Sequence, residues 1–375
     1  MRYNVRMKTQ IRMLLAVGAI AALPAFADPS AEYVSERFEQ QGEIGNYDIS
    51  VALPKGAFVK FDGRRLAVDR TSAAGRQEWT LRLPGPYTKR EKPGANTKIV
   101  IEVFHRKDDA FDKSSIKVAR SSGTPTLYLA GDSTMTDNRK EPWASWGQMA
   151  PAFFEKGISV SNFARSGLAL CTFEEEGRLD RILEHFKPGD YLFIAFGHND
   201  QKRKGEEPEN GYTRRLNEWI DKIQARGGHV IIGTPIERRR FKKDGTQGPR
   251  TLDGYAAAAR AVAEKRKLPL VDLNEASYAM MGVLGEKGST RLQRWCEAGF
   301  VPGLTEAVND NTHHSVYGAY EMARIAVAGI AQKVPALKPL IREKYRTFDH
   351  LKPDPDPGIP PSTGCGYDVR KPAGN

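Results

Sequence analysis

Thr126-Leu-Tyr-Leu-Ala-Gly-Asp-Ser-Thr134 is the stretch on which the reading of this chain turns. A short apolar run stops abruptly at Gly131-Asp132-Ser133-Thr134, and a helical pattern follows in which Trp143, Trp146 and Met149 fall on one face. This predicts a strand that delivers a serine to the top of a sheet. Ligands of α/β sheets sit at the carboxyl ends of strands, so a hydroxyl in the turn after a strand is well placed to react. Ser133 is therefore the candidate nucleophile. A hydroxyl alone is a poor one, and it needs a base and an oxyanion site from elsewhere in the chain. A plain helix cap by Asp132 or Ser133 explains the same string, so the rest of the sequence has to decide.

The first residues have a different purpose. Residues 1–27 carry Arg2, Arg6, Lys8 and Arg12 without an acid, then a short apolar run, then Ala25-Phe26-Ala27 ahead of Asp28. This is the pattern of a secretory signal peptide, and the expected location is periplasmic or secreted. The apolar run is too short for a membrane span, and no later segment is long enough to be one. Without these residues the net charge falls from +11 to +7, still basic. Nucleic acid, anionic lipid and acidic polysaccharide all suit that balance. No recognition helix, zinc-ligand spacing or basic amphipathic run supports the first two, so acidic glycans are the expected partners. Cys171, Cys296 and Cys365 permit one disulfide, with Cys171 and Cys296 as the expected pair, or three thiols.

About 348 residues remain, more than one compact core usually holds. Residues 28–122 alternate with period two in short runs such as Tyr47-Asp-Ile-Ser-Val-Ala-Leu and Trp79-Thr-Leu-Arg-Leu, separated by Gly, Pro and Asp turns. That predicts a small β-sandwich, with Tyr47, Trp79 or Tyr87 either in its core or serving as sugar-stacking surfaces. Ser121-Ser-Gly-Thr-Pro125 marks the boundary. Over residues 123–345 strands alternate with helices. Strands are expected at 126–130, 158–163, 191–196, 229–233 and 268–273, and helices at 177–186, 212–225, 255–267 and 315–333. The alternation predicts an α/β domain with a doubly wound parallel sheet. Residues 346–375 hold Lys352-Pro-Asp-Pro-Asp-Pro-Gly-Ile-Pro-Pro361, expected to be a tail lying on the surface or disordered. Neither a Walker loop nor a G-x-G-x-x-G is present, so no nucleotide cofactor is expected.

Four segments converge on one rim if the sheet is parallel: Gly131-Asp-Ser-Thr134, Asn162-Phe-Ala-Arg-Ser-Gly167, Gly197-His-Asn-Asp200 and Asp310-Asn-Thr-His313, the last opening the closing helix. Of seven histidines only His313 has an Asp three residues before it. In one turn Asp310 can hold the His313 imidazole in the tautomer that accepts a proton, which supplies the base for Ser133. Preformed donors for a developing oxyanion are available from the Ser133 amide, the Gly167 amide, where no side chain intervenes, and the Asn199 carboxamide. Each of these residues is common in ordinary turns, and only their joint occurrence after successive strands gives the reading weight. A metal hydrolase built from His198, Asp200, Asp310, His313 and His314 is the competing chemistry. Adjacent histidines cannot both face one ion from a helix, and the spacing fits no familiar ligand pattern.

G-D-S, a separate Gly block, G-x-N-D and D-x-x-H, in that order, resemble the four blocks of the SGNH (GDSL-type) hydrolase superfamily. Tyr128-Leu-Ala-Gly-Asp-Ser-Thr-Met-Thr-Asp137, Trp146-Gly-Gln-Met149, Phe196-Gly-His-Asn-Asp-Gln201 and Asp310-Asn-Thr-His313 with Tyr317-Gly-Ala319 resemble its rhamnogalacturonan acetylesterase branch. The resemblance implies a flavodoxin-like five-stranded parallel sheet, no metal, Ser133 as nucleophile, His313 as base, Asp310 as its partner, and Ser133, Gly167 and Asn199 as oxyanion donors. It departs at Leu168-Ala-Leu-Cys171, where relatives carry a polar, Arg-containing run, and at His314, where Phe is common. The implied function is an exported carbohydrate O-acetylesterase acting on acetylated pectin, above all the rhamnogalacturonan backbone. The alternatives are an acetylxylan esterase, a lipase or thioesterase of the same superfamily, and a glycan-binding protein whose hydrolase domain is inert.

Overall fold

A computed structural model of the chain describes residues 33–355 apart from 63, 66–73, 139 and 141, together with residue 372. The proposed signal peptide, Cys365 and the proline-rich stretch after residue 355 lie outside the described residues. The front of the chain supplies β1 (Tyr33–Gln41), β2 (Gly45–Leu53), β3 (Phe58–Phe61), β4 (Arg64–Arg65), β5 (Gly75–Leu83), β6 (Lys98–Arg106) and β7 (Lys117–Arg120). Then come β8 (Thr126–Gly131), β9 (Ser159–Asn162), β10 (Tyr191–Ala195), β11 (His229–Gly233), β12 (Leu270–Val271), β13 (Gln293–Cys296) and β14 (Val308–His314). The helices are α1 (Trp146–Met149), α2 (Leu170–Glu175), α3 (Arg178–His185), α4 (Thr213–Gln224), α5 (Asp253–Lys265), α6 (Leu273–Gly288) and α7 (Val316–Lys333).

Strands β8 to β12 pair in parallel, as the alternation of strands and helices predicts. Their residues read as continuous apolar runs because both faces are covered. Leu127, Leu129, Phe193 and Ile231 point to the side of α1, α6 and α7, where Trp146, Met280 and Ala323 meet them. Tyr128, Ala130, Leu192 and Ile232 point the other way, onto Phe173, Leu179, Trp219 and Val262.

The sheet does not end there, and this corrects the expected five-stranded parallel sheet. It has eight strands in the order β12-β11-β10-β8-β9-β5-β2-β7. β5 joins β9 in parallel through Thr80 and Leu81, and β2 and β7 follow antiparallel. The strands read from sequence as a separate sandwich therefore divide between two sheets. β2, β5 and β7 extend the central sheet, while β1, β6, β3 and β4 form a second, antiparallel layer. Ile49, Val51, Trp79 and Leu81 of one layer and Val59, Ile101 and Val103 of the other enclose a shared apolar core. Tyr47 and Trp79 are 7% and 4% exposed, so they are core residues and not sugar platforms. Half-buried Tyr87 packs edge-on against Phe163, 4.9 Å between ring centroids.

A polar seam closes the junction. The Ser159 hydroxyl donates to Asn46 Oδ1 at 3.0 Å and lies 3.0 Å from Thr126 Oγ1, and Asn46 Nδ2 donates to the Thr124 carbonyl at 2.9 Å. Among the described residues, no helix is long and apolar enough to cross a membrane. Cys171 and Cys296 are both free thiols, so the expected pair does not form. Residues 346–355 run back along α7, where the Asp354 carbonyl accepts the Tyr317 hydroxyl at 2.6 Å and its carboxylate pairs with Arg324.

Candidate active site

The turn after β8 is built around Asp132. Its carboxylate accepts the Thr134 amide and hydroxyl, both at 2.9 Å, and its carbonyl accepts the amides of Met135 and Thr136 at 3.1 and 3.0 Å. These bonds curl the chain so that Ser133 sits at the crest of the turn. Asp132 is fully buried, which raises its carboxyl pKa, while the Thr134 bonds and the nearby His313 and Arg238 side chains pull it back down.

A strap over residues 143–146 holds this turn and the histidine segment together. The Ser145 hydroxyl donates to the Ser133 carbonyl at 2.6 Å, and the Trp146 amide donates to the Thr134 carbonyl at 3.2 Å. One residue earlier, the Ala144 amide donates to the His314 carbonyl at 3.2 Å, and the Trp143 ring stands edge-on to His313, 5.9 Å between centroids. The four-residue helix α1 begins at once, and Gly147 within it is obligatory because a Cβ there would lie 2.1 Å from the Met135 carbonyl oxygen.

Asp310 and His313 do not open a helix, as their spacing suggests, but belong to strand β14, and α7 begins only at Val316. Between the pairs Gln293 with His314 and Trp295 with Asn309, β13 advances two residues while β14 advances five. The surplus residues form a bulge. Inside it Asp310 Oδ1 accepts the amides of Thr312 and His313 at 2.7 and 2.9 Å. Asp310 Oδ2 bonds His313 Nδ1 at 2.8 Å, leaving Nε2 to face outward from the pair. Burial raises the Asp310 pKa, but the bond and charge of His313 and the two amides outweigh it and hold the carboxylate well below its usual range. Ser133 Oγ and His313 Nε2 are both buried, and neither has a hydrogen-bond partner among the described residues. A hydroxyl on a loop and an imidazole nitrogen on the adjoining hairpin, held by one strap and both uncommitted, are the two atoms a proton transfer requires.

Gly167 adopts φ +85°, a left-handed conformation that glycine takes without strain. Its loop is stapled on both sides. The Arg165 amide donates to the Gly131 carbonyl at 3.2 Å, and Thr136 Oγ1 donates to the Ala164 carbonyl at 2.9 Å. From the β10 side, Asn199 Nδ2 donates to the Leu168 carbonyl at 3.0 Å and Asp200 Oδ1 accepts the Leu170 amide at 2.9 Å. One Asn199 N–H is thereby used, and the other makes no hydrogen bond among the described residues. The five residues singled out by sequence therefore lie on loops at the carboxyl ends of β8, β9 and β10 and on the adjoining hairpin.

His198 and His314 are held neutral. Burial and the nearby charges of Arg238 and His313 press His198 well below its ordinary pKa, and burial with the His313 charge lowers His314 to about 3. Among the described residues, no three His, Cys, Asp or Glu side chains are disposed to hold one metal ion. Sequence reasoning missed the strap, whose Trp143 registers only as part of an apolar face. It also missed the loop after β11, where Arg239 donates its amide to the Asn311 carbonyl at 2.9 Å and its guanidinium to Asn311 Oδ1 at 3.1 Å. No local pattern marks that loop, because its role arises from contact with a strand seventy residues away.

Residues 129–296 match the model of the GDSL-like Lipase/Acylhydrolase family. The chain is 37% identical over 208 residues to rhamnogalacturonan acetylesterase RhgT of Bacillus subtilis, covering 55% of this chain and 89% of that protein. It is 34% identical over 224 residues to the probable rhamnogalacturonan acetylesterase YesY of the same organism, covering 58% and 98%. The crystal structure of the B. subtilis protein YxiM is similar at TM-score 0.50 and 27% identity, over 79% of this chain and 80% of that one. That coverage exceeds residues 123–345, so the likeness extends into the front strands.

Proposed function

Because the chain belongs to the SGNH (GDSL-type) hydrolase superfamily, in its rhamnogalacturonan acetylesterase-like branch, and is a carboxylic ester hydrolase, we propose that it is a carbohydrate O-acetylesterase acting on acetylated pectin, above all the rhamnogalacturonan backbone. Ser133 Oγ attacks the acetyl carbonyl while His313 Nε2 takes its proton. Asp310 keeps the imidazole oriented and stabilises it once cationic. The tetrahedral oxyanion is received by the amides of Ser133 and Gly167 and the remaining Asn199 N–H. Collapse breaks the bond from the acetyl carbon to the sugar oxygen, which takes the proton from His313 and leaves as the free hydroxyl. Water, activated by the same imidazole, then releases acetate and restores Ser133.

The observation that carries this reading is the buried 2.8 Å bond between Asp310 Oδ2 and His313 Nδ1, with the strap over residues 143–146 bonded to the carbonyls of both Ser133 and His314. The test is acetate release from acetylated rhamnogalacturonan and acetylated xylan, and hydrolysis of an aryl acetate. Ser133→Ala and His313→Ala should each abolish turnover on all three. Asp310→Asn should lower kcat by about four orders of magnitude, and Asn199→Ala by about two to three. Undiminished release by Ser133→Ala refutes the mechanism, and a faster rate on xylan refutes the substrate.

We also assign the enzyme to the periplasm or the outside of the cell, on the charge and cleavage pattern of residues 1–27. An N-terminus at Asp28 in exported protein is the expected result.

A further inference from the structure

The loop after β11 reaches the catalytic hairpin at Arg239, whose amide and guanidinium both bond Asn311, the residue directly after Asp310. Arg239 Nε and Nη2 point away from the site, to the Ser289 hydroxyl at 3.0 Å and the Glu286 carbonyl at 2.5 Å. Arg238, one residue earlier, is fixed next to the hairpin by the same anchorage but sends its side chain elsewhere, toward Thr251 Oγ1 at 3.1 Å.

Its guanidinium is half-buried, and among the described residues it forms no ion pair. The adjacent carboxylate is fully occupied. Glu237 accepts the Arg238 amide at 2.8 Å, the Thr251 amide at 3.0 Å and hydroxyl at 2.5 Å, the Leu252 amide at 3.3 Å and Asn274 Nδ2 at 3.1 Å. The Arg238 charge is felt at both Asp132 and His198, the residues flanking the nucleophile and the Asn199 donor. Burial outweighs the opposing charges of Glu237 and Asp132 at this guanidinium, and an arriving anion offsets the remaining cost of its lost hydration. Guanidinium planes suit carboxylates in particular, through paired N–H donors.

We propose that Arg238 is a specificity-determining residue that receives the carboxylate of a uronate in the substrate, so that the enzyme prefers acetylated glycans whose acid groups are free. This rests on the reading of the site as a carbohydrate acetylesterase and adds the substrate feature it recognises.

The test compares kcat/KM for one acetylated galacturonate-containing oligosaccharide in two forms, free acid and methyl ester, which differ only in the charge Arg238 would meet. Wild type should favour the free acid by about 10- to 100-fold, the range of a charge-assisted pair. Arg238→Gln should bring the ratio to about one, and Arg238→Lys should keep part of it. A merely structural role would lower both rates together and leave the ratio at its wild-type value, which overturns the proposal. A wild-type ratio near one overturns it as well, without recourse to any variant, while leaving the acetylesterase reading intact. Should wild type hydrolyse an aryl acetate but neither oligosaccharide, the carbohydrate reading itself fails and takes this assignment with it.

Discussion

Asp200 is a carboxyl group that no step of the reaction uses, yet it senses the site. Burial, followed by the charge of Asp132, pushes its pKa up to about 7 against the bond from the Leu170 amide. In the unfolded chain it returns to the ordinary 3.8, so between 3.8 and about 7 the native state binds the proton more tightly. Its contribution to stability is therefore greatest at the acid end and is lost as pH rises through that window. Asp200→Asn, which keeps the acceptor for Leu170, should flatten the fall in Tm between pH 4 and 7.5, read by calorimetry, whereas equal slopes in both proteins would refute it. Asp310 has the opposite sign. Its depressed pKa makes the native state gain stability as its carboxylate ionises at low pH. Ser133, Gly167, Asn199, Asp310 and His313 could be proposed from the sequence because each sits at a fixed offset from a strand end or from a partner. Arg238 was not, since nothing local distinguishes a rim arginine from the other basic residues.

At the scale of elements, the short strap is the piece that keeps two distant segments in register. Removing the Ser145 hydroxyl strips the Ser133 carbonyl and Asn138 Nδ2 of a partner, the latter at 2.8 Å. Ser145→Ala should cost about 1–3 kcal/mol of stability, the usual penalty for buried polar groups left unpaired. It should also lower kcat more than it raises KM on an aryl acetate, because it loosens the nucleophile without touching substrate. An unchanged kcat would sink that account. The D-x-x-H spacing was read as a turn of helix and proved to be a bulge in a hairpin. Both forms fold the amide of residue i+3 back to the Asp carboxylate, so the sequence records the dyad but not the element carrying it. α6, rich in Gly and Met and weakly periodic, left no signal of comparable strength.

On the scale of the whole molecule, the central sheet crosses the Ser121–Pro125 segment without a break. Pairing of β5 with β9 joins residues about eighty positions apart, and nothing in either strand announces its neighbour, which is why the front region reads as an autonomous unit. Two outcomes follow. The full chain should unfold in a single calorimetric transition. A variant beginning at residue 123 exposes the unpaired edge of β9 and should aggregate. A soluble, active fragment of that kind would refute the dependence. Asn46→Ala, which deprives Ser159 and the Thr124 carbonyl of partners, should lower Tm in the full chain, by the equivalent of about 1–3 kcal/mol. A shared ladder also rules out the behaviour of a tethered anchor, which swings on its linker and grips the polymer wherever it lands. Whatever the front strands touch is held at a constant bearing from Ser133, so any contact they make with a long glycan selects which of its acetyl groups the enzyme meets.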